Sequence, residues 1–313
     1  MNKKDQDRQS VLCVDDAEDV REILHEVLTL LGHTSITAVD GLDALEKLAG
    51  GQFDIVITDL KMPRMGGIEL IKKIKADFEE VDVIAITAHE ADYKYTDVIE
   101  VGAADFISKP FNVNELEAKI NRIIRERDLR SDLKRLSTHD GLTGVYNRRY
   151  FNDNLEHEAV RAMRQNYNLF LLIIDVDKFK GYNDKHGHLQ GDSLLMTLAR
   201  IILANIRKDV DSAYRYGGDE FAVVLPYANQ EQALKVAKRL LTEYNKENLS
   251  PTSLSIGLAK LEGTQDSLVE DLEILIKKAD QALYLAKNKG GNQVCDEVGQ
   301  VTLASPYIIQ HDL

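Results

Sequence analysis

Residues 212–226 read SAYRYGGDEFAVVLP, the pattern of a strand, a tight turn and a second strand. The run 212–216 alternates in character, and the run 221–225 is continuously apolar and stops at a proline. Two glycines between strand-like runs predict a hairpin turn, because residues without a Cβ tolerate positive φ and let another molecule approach the backbone. Asp219 and Glu220 follow them. These adjacent acids fit either a solvated turn or a site for Mg²⁺ with a nucleotide phosphate, and the surrounding chain has to decide.

A second apolar run delivers acidic residues in the same way. Residues 169–174 (LFLLII) are followed at once by Asp175, Val176 and Asp177. Because alternate strand residues point to one face, the two acids share a face, and one could be a ligand while the other caps the following turn. A polar, glycine-containing loop over 178–192 and a helix over 193–206 are predicted next. A strand ending in carboxylates, a polar loop and a helix N-terminus are the parts of a nucleotide cradle.

The first hundred residues alternate short strand patterns with amphipathic helix patterns. This alternation predicts an α/β domain with a doubly wound, parallel, five-stranded sheet covered on both faces. Ligands of such sheets bind at the carboxyl ends of the strands. Strands are predicted over 11–14, 34–39, 53–58, 81–87 and 104–108, and helices over 19–31, 42–49, 67–76 and 91–101.

Chemically reactive residues fall at these strand ends. Asp15 and Asp16 follow the first strand, Asp59 follows the third, Thr87 ends the fourth, and Lys109 follows the fifth. Each alone has a simpler structural explanation, such as a helix cap. Together, three carboxylates at one sheet edge would repel one another unless a divalent cation lay among them. The ammonium and the hydroxyl add two donors for an anion, so the set describes a site that places a phosphoryl group on a carboxylate and then detects it.

Residues 11–125 resemble a bacterial response-regulator receiver domain, which has a flavodoxin-like fold. The resemblance rests on the residues above and on the run DLKMP at 59–63, followed by Gly66 and Gly67. It also implies a sensor histidine kinase as the phosphodonor. The roles that it implies are the phosphoacceptor (Asp59), the Mg²⁺ pocket (Asp15, Asp16, Asp59 and the Lys61 carbonyl) and the switch residues (Thr87, Phe106 and Lys109).

A long helix is predicted over 113–137 as a connector. Its first apolar residues, between 116 and 124, are expected to pack on the preceding sheet. Leu129, Leu133 and Leu136 follow after a charged interruption (RERD), which a strict coiled coil would not show. The simpler interpretation is the last helix of the first domain. Beyond residue 125 the helix has no domain of its own to cover, so we expect a partner helix in a homodimer there.

Four motifs occur in order in the second half of the chain: LTGVYNRRYF (142–151), DVDKFKGYND (175–184), GHLQGD (187–192) and GGDEF (217–221). With them, residues 138–296 resemble a GGDEF-type diguanylate cyclase domain. The resemblance implies an α+β fold, a mixed sheet with flanking helices like that of nucleotidyl cyclases and polymerase palms. It also implies that two GTP molecules on the two subunits of a homodimer condense into cyclic di-GMP with loss of two pyrophosphates.

The same resemblance implies a role for each matching residue. Mg²⁺, with Mn²⁺ as a substitute, is the implied cofactor of both domains. A carboxylate at Asp192 can accept hydrogen bonds from guanine N1–H and N2–H₂, which adenine lacks, so guanine selectivity is expected. The implied roles are the metal site (Asp175, Asp219 and the Val176 carbonyl), deprotonation of the ribose 3′-hydroxyl (Asp219, with Glu220 beside the metal), the guanine pocket (Asn183, His188 and Asp192) and phosphate contacts (Lys180, Arg215 and Lys287).

Two positions depart from the family's pattern. Lys208 and Asp211 stand where many members carry an RxxD product-inhibition site, and a lysine cannot present the planar fork that arginine offers to guanine. Weak or absent feedback inhibition is therefore expected. Gly291 stands where the family often has a phosphate-contacting arginine, so a lower affinity for GTP is expected, with Lys287 retained.

Composition excludes several other classes. The 313 residues carry 39 Lys and Arg against 52 Asp and Glu, a net charge of −13, which argues against binding to nucleic acid or to anionic membranes. No apolar run is long enough to span a membrane, and the P-loop and GxSxG motifs are absent. Cys13 and Cys295 are expected to be a buried apolar residue and a surface thiol, as in a reducing, cytoplasmic protein. The histidines, including the close pair His186 and His188, lack the further ligands of a metal site.

These observations predict a phosphorylation-controlled diguanylate cyclase. The alternative from another class is a non-enzymatic module that binds GTP or cyclic di-GMP, and the intact acids and Asn183 argue against it. A product that contains adenine is the second alternative. The expected parts are a polar N-terminus (1–10), the receiver domain (11–125), the signalling helix (113–137), the cyclase domain (138–296) and a tail (297–313) that is either disordered or an extra packing segment.

Overall fold

Five parallel strands form the sheet of the N-terminal half. In the computed structural model, which describes residues 8–88, 95–263, 267–299 and 301–303, the chain divides into two compact units, Met1–Asp132 and Leu133–Leu313. The strand order in the first unit is β2-β1-β3-β4-β5, and every neighbouring pair is parallel. The predicted doubly wound sheet is confirmed. Its strands are β1 (Ser10–Val14), β2 (Thr34–Ala38), β3 (Ile55–Asp59), β4 (Asp82–Thr87) and β5 (Asp105–Ser108).

Helices cover both faces of this sheet because its strands are apolar on both sides. Alternation along β1 sends Val11 and Cys13 to one face, and Leu12 and Val14 to the other. The predicted helix over 91–101 corresponds to α4 from residue 95 onward; residues 91–94 and His89 lie outside the described residues. The helices are α1 (Glu18–Leu30), α2 (Gly41–Gly50), α3 (Gly67–Asp77), α4 (Tyr95–Glu100) and α5 (Val113–Thr138).

Helix α5 confirms the predicted long connector and explains its charged interruption. Its first turns bury four apolar residues against the sheet, whereas Leu129, Leu133 and Leu136 are 62%, 65% and 70% exposed. Between these two stretches, Arg127 donates to Asp82 Oδ2 at 2.5 Å, to the Asp54 carbonyl at 2.8 Å and to Gln9 Oε1 at 3.1 Å. One arginine therefore contacts the residues at which β1, β3 and β4 begin.

The second unit is built on a mixed sheet, as the resemblance implied, and this sheet has six strands. Its order is β11-β10-β9-β6-β8-β7, in which only β9 and β10 pair in parallel. The strands are β6 (Leu169–Asp177), β7 (Ser212–Arg215), β8 (Glu220–Pro226), β9 (Ser253–Lys260), β10 (Gln293–Asp296) and β11 (Val301–Leu303). The helices are α6 (Arg148–Gln165), α7 (Phe179–His186), α8 (His188–Asn205), α9 (Gln230–Lys246) and α10 (Leu268–Asn288).

The central strand β6 is buried on both faces, which accounts for its unbroken apolar run. Phe170, Leu172 and Ile174 join the cluster that α8 and α9 cover, whereas Leu171 and Ile173 face α6 and α10. The acids Asp175 and Asp177 come at the C-terminal end of this strand, which lies at one edge of the sheet.

The structure corrects two of the predictions. The segment 178–192 is not a loop: it forms α7 and the first turn of α8, because Phe179 and Tyr182 pack on the core while Gly187, at φ +85°, ends one helix and starts the next. Cys295 is not a surface thiol: it lies in β10, fully buried under Ala282 and Ala286 of α10.

Part of the tail belongs to the sheet, since β11 pairs with β10 in antiparallel register. Residues 304–313 lie outside the described residues. Within the described ranges, no helix combines the length and the apolarity that crossing a bilayer requires.

Candidate active site

The hairpin between β7 and β8 forms as predicted, but the reason for glycine at positions 217 and 218 differs from the one expected. The N–H groups of Tyr216 and Gly217 both donate to the Glu220 carbonyl, at 2.8 and 3.1 Å. Neither Gly217 nor Gly218 has a positive φ, so that part of the expectation was wrong. A Cβ at Gly217 would lie 2.6 Å from Glu220 Oε2, and one at Gly218 would point into open space. Gly217 therefore keeps the turn free of bulk beside the Glu220 carboxylate.

Three acids converge at this edge of the sheet. Asp175 at the end of β6 lies directly opposite Glu220 in the antiparallel register, and Asp219 precedes Glu220. Burial raises the pKa of Asp175, with Asp219 and Asp177 adding to the effect and Lys287 opposing it. Burial also raises the pKa of Glu220, and the charge of Asp175 raises it further. The cluster therefore has a deficit of positive charge.

Lys287 on the last turn of α10 supplies one positive charge, with Nζ 2.7 Å from Asp175 Oδ2. Mutually repelling carboxylate oxygens are donors of the kind that Mg²⁺ prefers, so the residues fit the implied metal. Among the described residues, no three His, Cys, Asp or Glu side chains are arranged as a ready metal site.

Asn183 on α7 has an unsatisfied acceptor. Its Oδ1 is buried and has no hydrogen-bond partner among the described residues, and a Cβ on Gly191 would collide with it. An unpaired buried acceptor costs about 1–3 kcal/mol, so a ligand N–H that reached it would be bound favourably. Asp192 is next to Gly191 on α8 and is half-buried, whereas His188 and Lys180 are exposed. The structure thus brings Asn183 close to the residue that precedes Asp192.

Arg215, which is predicted to contact a phosphate, bonds to the hairpin turn and to Asp140 in the structure. Its Nε and Nη2 donate to the Gly218 carbonyl at 3.1 and 2.8 Å, and its Nη1 donates to Asp140 Oδ1 at 3.1 Å. Burial would raise the pKa of Asp140, but hydrogen bonds from Thr143 and Arg215 outweigh it, so the pKa is lowered. Arg215 therefore braces the hairpin turn against the segment that follows α5.

Asp211 does not face Lys208. The Asp211 side chain is fully buried and accepts from the Arg207 backbone N–H at 2.7 Å and from Arg207 Nη2 at 2.6 Å. Arg207 Nη2 also donates to the Pro226 carbonyl at 2.5 Å, whereas Lys208 is exposed. Sequence reasoning missed Arg207 and Asp140. The four-residue spacing from Arg207 to Asp211 could have indicated this ion pair; nothing local indicated Asp140.

A second group of reactive residues lies at the carboxyl edge of the first sheet. Lys109 Nζ lies 2.6 Å from Asp15 Oδ2 and 2.9 Å from Asp59 Oδ1. Both acids are buried, and Asp59 Oδ2 also accepts from the Lys61 N–H at 2.7 Å. Burial raises the pKa of Asp15, and the bonds from Lys109 and Ala17 only partly offset this. Lys109 responds in the opposite way: burial lowers its pKa, but its bonds to the two acids outweigh burial and raise it.

The remaining predicted receiver residues lie around this group. Thr87 is fully buried at the end of β4, beside Ser108 of β5. The half-buried Phe106 ring meets Tyr95 edge-on, with ring centroids 6.3 Å apart. Asp16 is exposed, and its carbonyl accepts from Arg21 Nη1 at 3.0 Å.

Comparisons with known proteins identify both domains. The family model for the diguanylate cyclase GGDEF domain matches residues 137–293, and the model for the response regulator receiver domain matches residues 11–121. The response regulator PleD of Caulobacter vibrioides is 31% identical over 264 residues, which is 79% of this chain and 57% of PleD. The diguanylate cyclase DgcM of Escherichia coli K12 is 37% identical over 180 residues, which is 56% of this chain and 42% of DgcM. The chain thus spans about half the length of these curated relatives.

A solved structure supports the fold of the second unit. The coiled coil and GGDEF domain of DgcB from Caulobacter crescentus, in complex with c-di-GMP, has a TM-score of 0.52 at 28% identity and covers 58% of this chain and 97% of that one. A parallel sheet with an acid and lysine edge, followed by a mixed sheet with an acidic hairpin, defines a response regulator with an enzyme-like output domain. The chain belongs to the GGDEF family of diguanylate cyclase domains and carries a receiver domain in front of it.

Proposed function

We propose that this protein is a phosphorylation-controlled diguanylate cyclase that condenses two GTP molecules into cyclic di-GMP and two pyrophosphates across a homodimer. The observation that carries the proposal is the opposition of Asp175 and Glu220 across β6 and β8, with Asp219 beside them and Lys287 2.7 Å from Asp175. An acidic edge with one lysine suits a triphosphate that arrives with a divalent cation.

The side chains divide the chemistry between them. Asn183, through its unpaired Oδ1, and Asp192 bind the guanine edge and orient the nucleotide. Asp219, or a water that it orients, accepts the proton of the ribose 3′-hydroxyl as this oxygen attacks the α-phosphorus of the other GTP and pyrophosphate departs; the step occurs twice. Lys287 and Lys180 neutralise phosphate charge. Mg²⁺ held by Asp175, Asp219 and the Val176 carbonyl would neutralise the triphosphate and the charge that develops during transfer.

The product explains why a dimer is required. One domain presents one nucleotide, so a cyclic dinucleotide needs two domains facing each other. Leu129, Leu133 and Leu136 form an exposed stripe with spacings of four and three residues on α5, which supports pairing with the same helix of a second copy. We expect phosphorylation of Asp59 by a sensor histidine kinase to act on this pairing, because α5 begins in the receiver domain and ends at the start of the cyclase domain.

One assay tests this function. Purified protein is incubated with GTP and Mg²⁺, with and without beryllofluoride as a phosphoryl mimic, and the products are separated by chromatography. Cyclic di-GMP is expected, and it should form faster with beryllofluoride; Asp59→Asn should abolish the stimulation and Asp219→Ala should abolish the product. An absence of product from the wild type, or equal product from Asp219→Ala, would refute the proposal. Nucleotide binding without turnover would then favour the non-enzymatic alternative.

A further inference from the structure

Asp177 is the second acid at the end of β6, and its surroundings differ from those of Asp175. We infer that Asp177 is a positioning residue: it fastens the turn 290–292 to the edge of the sheet and so determines where Lys287 presents its ammonium group. The inference deepens the proposed function and rests on it.

Both carboxylate oxygens of Asp177 are occupied by protein donors. Oδ1 accepts from Ser255 Oγ at 2.7 Å, and Oδ2 accepts from Ser253 Oγ at 2.6 Å and from the Asn292 N–H at 3.1 Å. The register of β9 against β6, with Ser253 opposite Asp177, delivers both hydroxyls. A carboxylate has about four lone-pair sites, so three of them are already taken. Asp177 is therefore a hydrogen-bond hub within the protein.

The turn approaches Asp177 closely at Gly291. Gly291 has φ +73°, and a Cβ there would lie 2.6 Å from Asp177 Oδ2. A larger residue at this position would be strained by its φ and would also collide with the carboxylate. Glycine at 291 therefore allows the turn to lie this close to the Asp177 carboxylate.

The same turn caps the helix that carries Lys287. The N–H of Gly290 donates to the Lys287 carbonyl, and the N–H of Gly291 donates to the Ala286 carbonyl, each at 3.1 Å. These bonds satisfy carbonyls that the end of a helix leaves unpaired. Any shift of the turn away from Asp177 therefore moves the last turn of α10 and the lysine on it.

Lys287 is sensitive to such a shift because its ammonium group acts through a short contact with Asp175. Its Nζ lies 2.7 Å from Asp175 Oδ2, and its side chain is 40% exposed, so its place depends on its backbone position and on this ion pair. Two further hydrogen bonds to this region do not involve Asp177 and would remain after its substitution. Asn245 Nδ2 donates to Asn292 Oδ1 at 2.9 Å, and Gln293 Nε2 donates to the Ala286 carbonyl at 2.6 Å. Substitution at 177 should therefore displace the lysine without unfolding the domain.

The test is a set of double-mutant cycles in the full-length protein. Asp177→Ala, Asp177→Asn and Gly291→Ala are made alone and with Lys287→Ala. Steady-state kcat and KM for GTP with Mg²⁺ are measured, together with the affinity for a non-hydrolysable GTP analogue by calorimetry. Asp177→Ala and Lys287→Ala should each weaken analogue binding and raise KM about tenfold, with a smaller change in kcat. Because both substitutions act through one ammonium group, the double variant should have the same KM and the same analogue affinity as the single variant with the larger defect.

The conservative variant separates positioning from metal binding. An asparagine can keep its oxygen toward Ser253 and Asn292 and donate to Ser255 Oγ, so Asp177→Asn should stay within about threefold of the wild type in KM. Gly291→Ala should resemble Asp177→Ala. Effects that multiply in the double variant, a wild-type KM for Gly291→Ala, or an Asp177→Asn variant that needs far more Mg²⁺ would each overturn the inference. If Asp177→Ala does not fold, the other two variants decide.

The failure of the proposed function would look different. A wild type that makes no cyclic di-GMP, yet binds the analogue with the same coupling between Asp177 and Lys287, would refute the cyclase and support the positioning role. A wild type that makes the product while the two substitutions act independently would refute only the positioning role.

Discussion

Asp175 and Glu220 lie directly opposite each other on β6 and β8, two acids in one cross-strand pair. Like charges in such a pair are destabilising, and the pKa of each group is raised, first by burial and then by neighbouring carboxylates. A fold selected for stability alone would not retain the pair. Its presence at the edge where the acidic hairpin and Lys287 meet is what a binding site for a cation and a polyphosphate requires.

The first prediction concerns stability against pH. Since the pKa of Glu220 is raised in the folded state, its ionised form disfavours folding above that pKa, and the cost disappears below the ordinary pKa of 4.5. Glu220→Gln should therefore raise the thermal midpoint of the catalytic domain by about 2 °C near pH 7.5. The gain should vanish near pH 4. Calorimetric scans of both proteins across this range, without nucleotide or Mg²⁺, test it; a gain that is independent of pH would exclude the electrostatic explanation.

The second prediction concerns Arg215 as a brace of the hairpin. Its hydrogen bonds hold the Gly218 carbonyl and Asp140, so Arg215→Ala should release the turn that carries Asp219 and lower kcat about ten- to a hundredfold, the scale of charge-assisted hydrogen bonds. Asp140→Asn should give a smaller loss, and the double variant should be no worse than Arg215→Ala. Steady-state product formation measures this, with Arg149→Ala, an exposed arginine on α6, as the control. A raised KM for GTP with kcat unchanged would instead support the predicted phosphate contact.

Sequence reasoning reached the fold and the acids because both depend on local patterns. The apolar run before Asp175 and the strand ends that carry Asp15, Asp59 and Thr87 follow from periodicity and from the rule that parallel sheets bind ligands at their carboxyl ends. Other features depend on distant partners. Nothing near Arg215 shows that Asp140, 75 residues away in the sequence, takes one of its N–H groups.

Helix formation over 178–192 shows a different limit of sequence reasoning. The polar and glycine-rich composition argued for a loop, and the deciding contribution is the packing of Phe179 and Tyr182 on a core assembled from other segments. The same applies to Cys295, which is buried because α10 covers β10. Tertiary contacts override local preference in both places.

The third prediction concerns Arg127, whose bonds reach Asp82, Asp54 and Gln9 at the base of the receiver sheet. Removal of these hydrogen bonds should destabilise the receiver domain. The expected loss is only about 1–2 kcal/mol, because 29% of the Arg127 side chain is exposed and solvent screens the ion pair. Urea unfolding of Arg127→Ala measures the change in the free energy of unfolding. Native-state hydrogen exchange shows whether the receiver strands lose protection. Arg130→Ala, exposed on the same helix, is the matched control. Equal protection of β3 and β4 in the two variants would contradict the prediction.

The fourth prediction concerns feedback by the product. In the structure Asp211 is committed to Arg207 and buried, so the obstacle to an RxxD site is the orientation of the acid as well as the lysine at 208. Lys208→Arg should therefore leave the cyclase about as insensitive to added cyclic di-GMP as the wild type. Arg207→Ala should lower the stability of the domain, because it leaves a buried carboxylate unpaired. Initial rates against product concentration, with thermal midpoints of each variant, test both statements. Strong inhibition of Lys208→Arg by cyclic di-GMP would mean that Asp211 turns outward at little cost. The ion pair with Arg207 would then not be what prevents the product from binding.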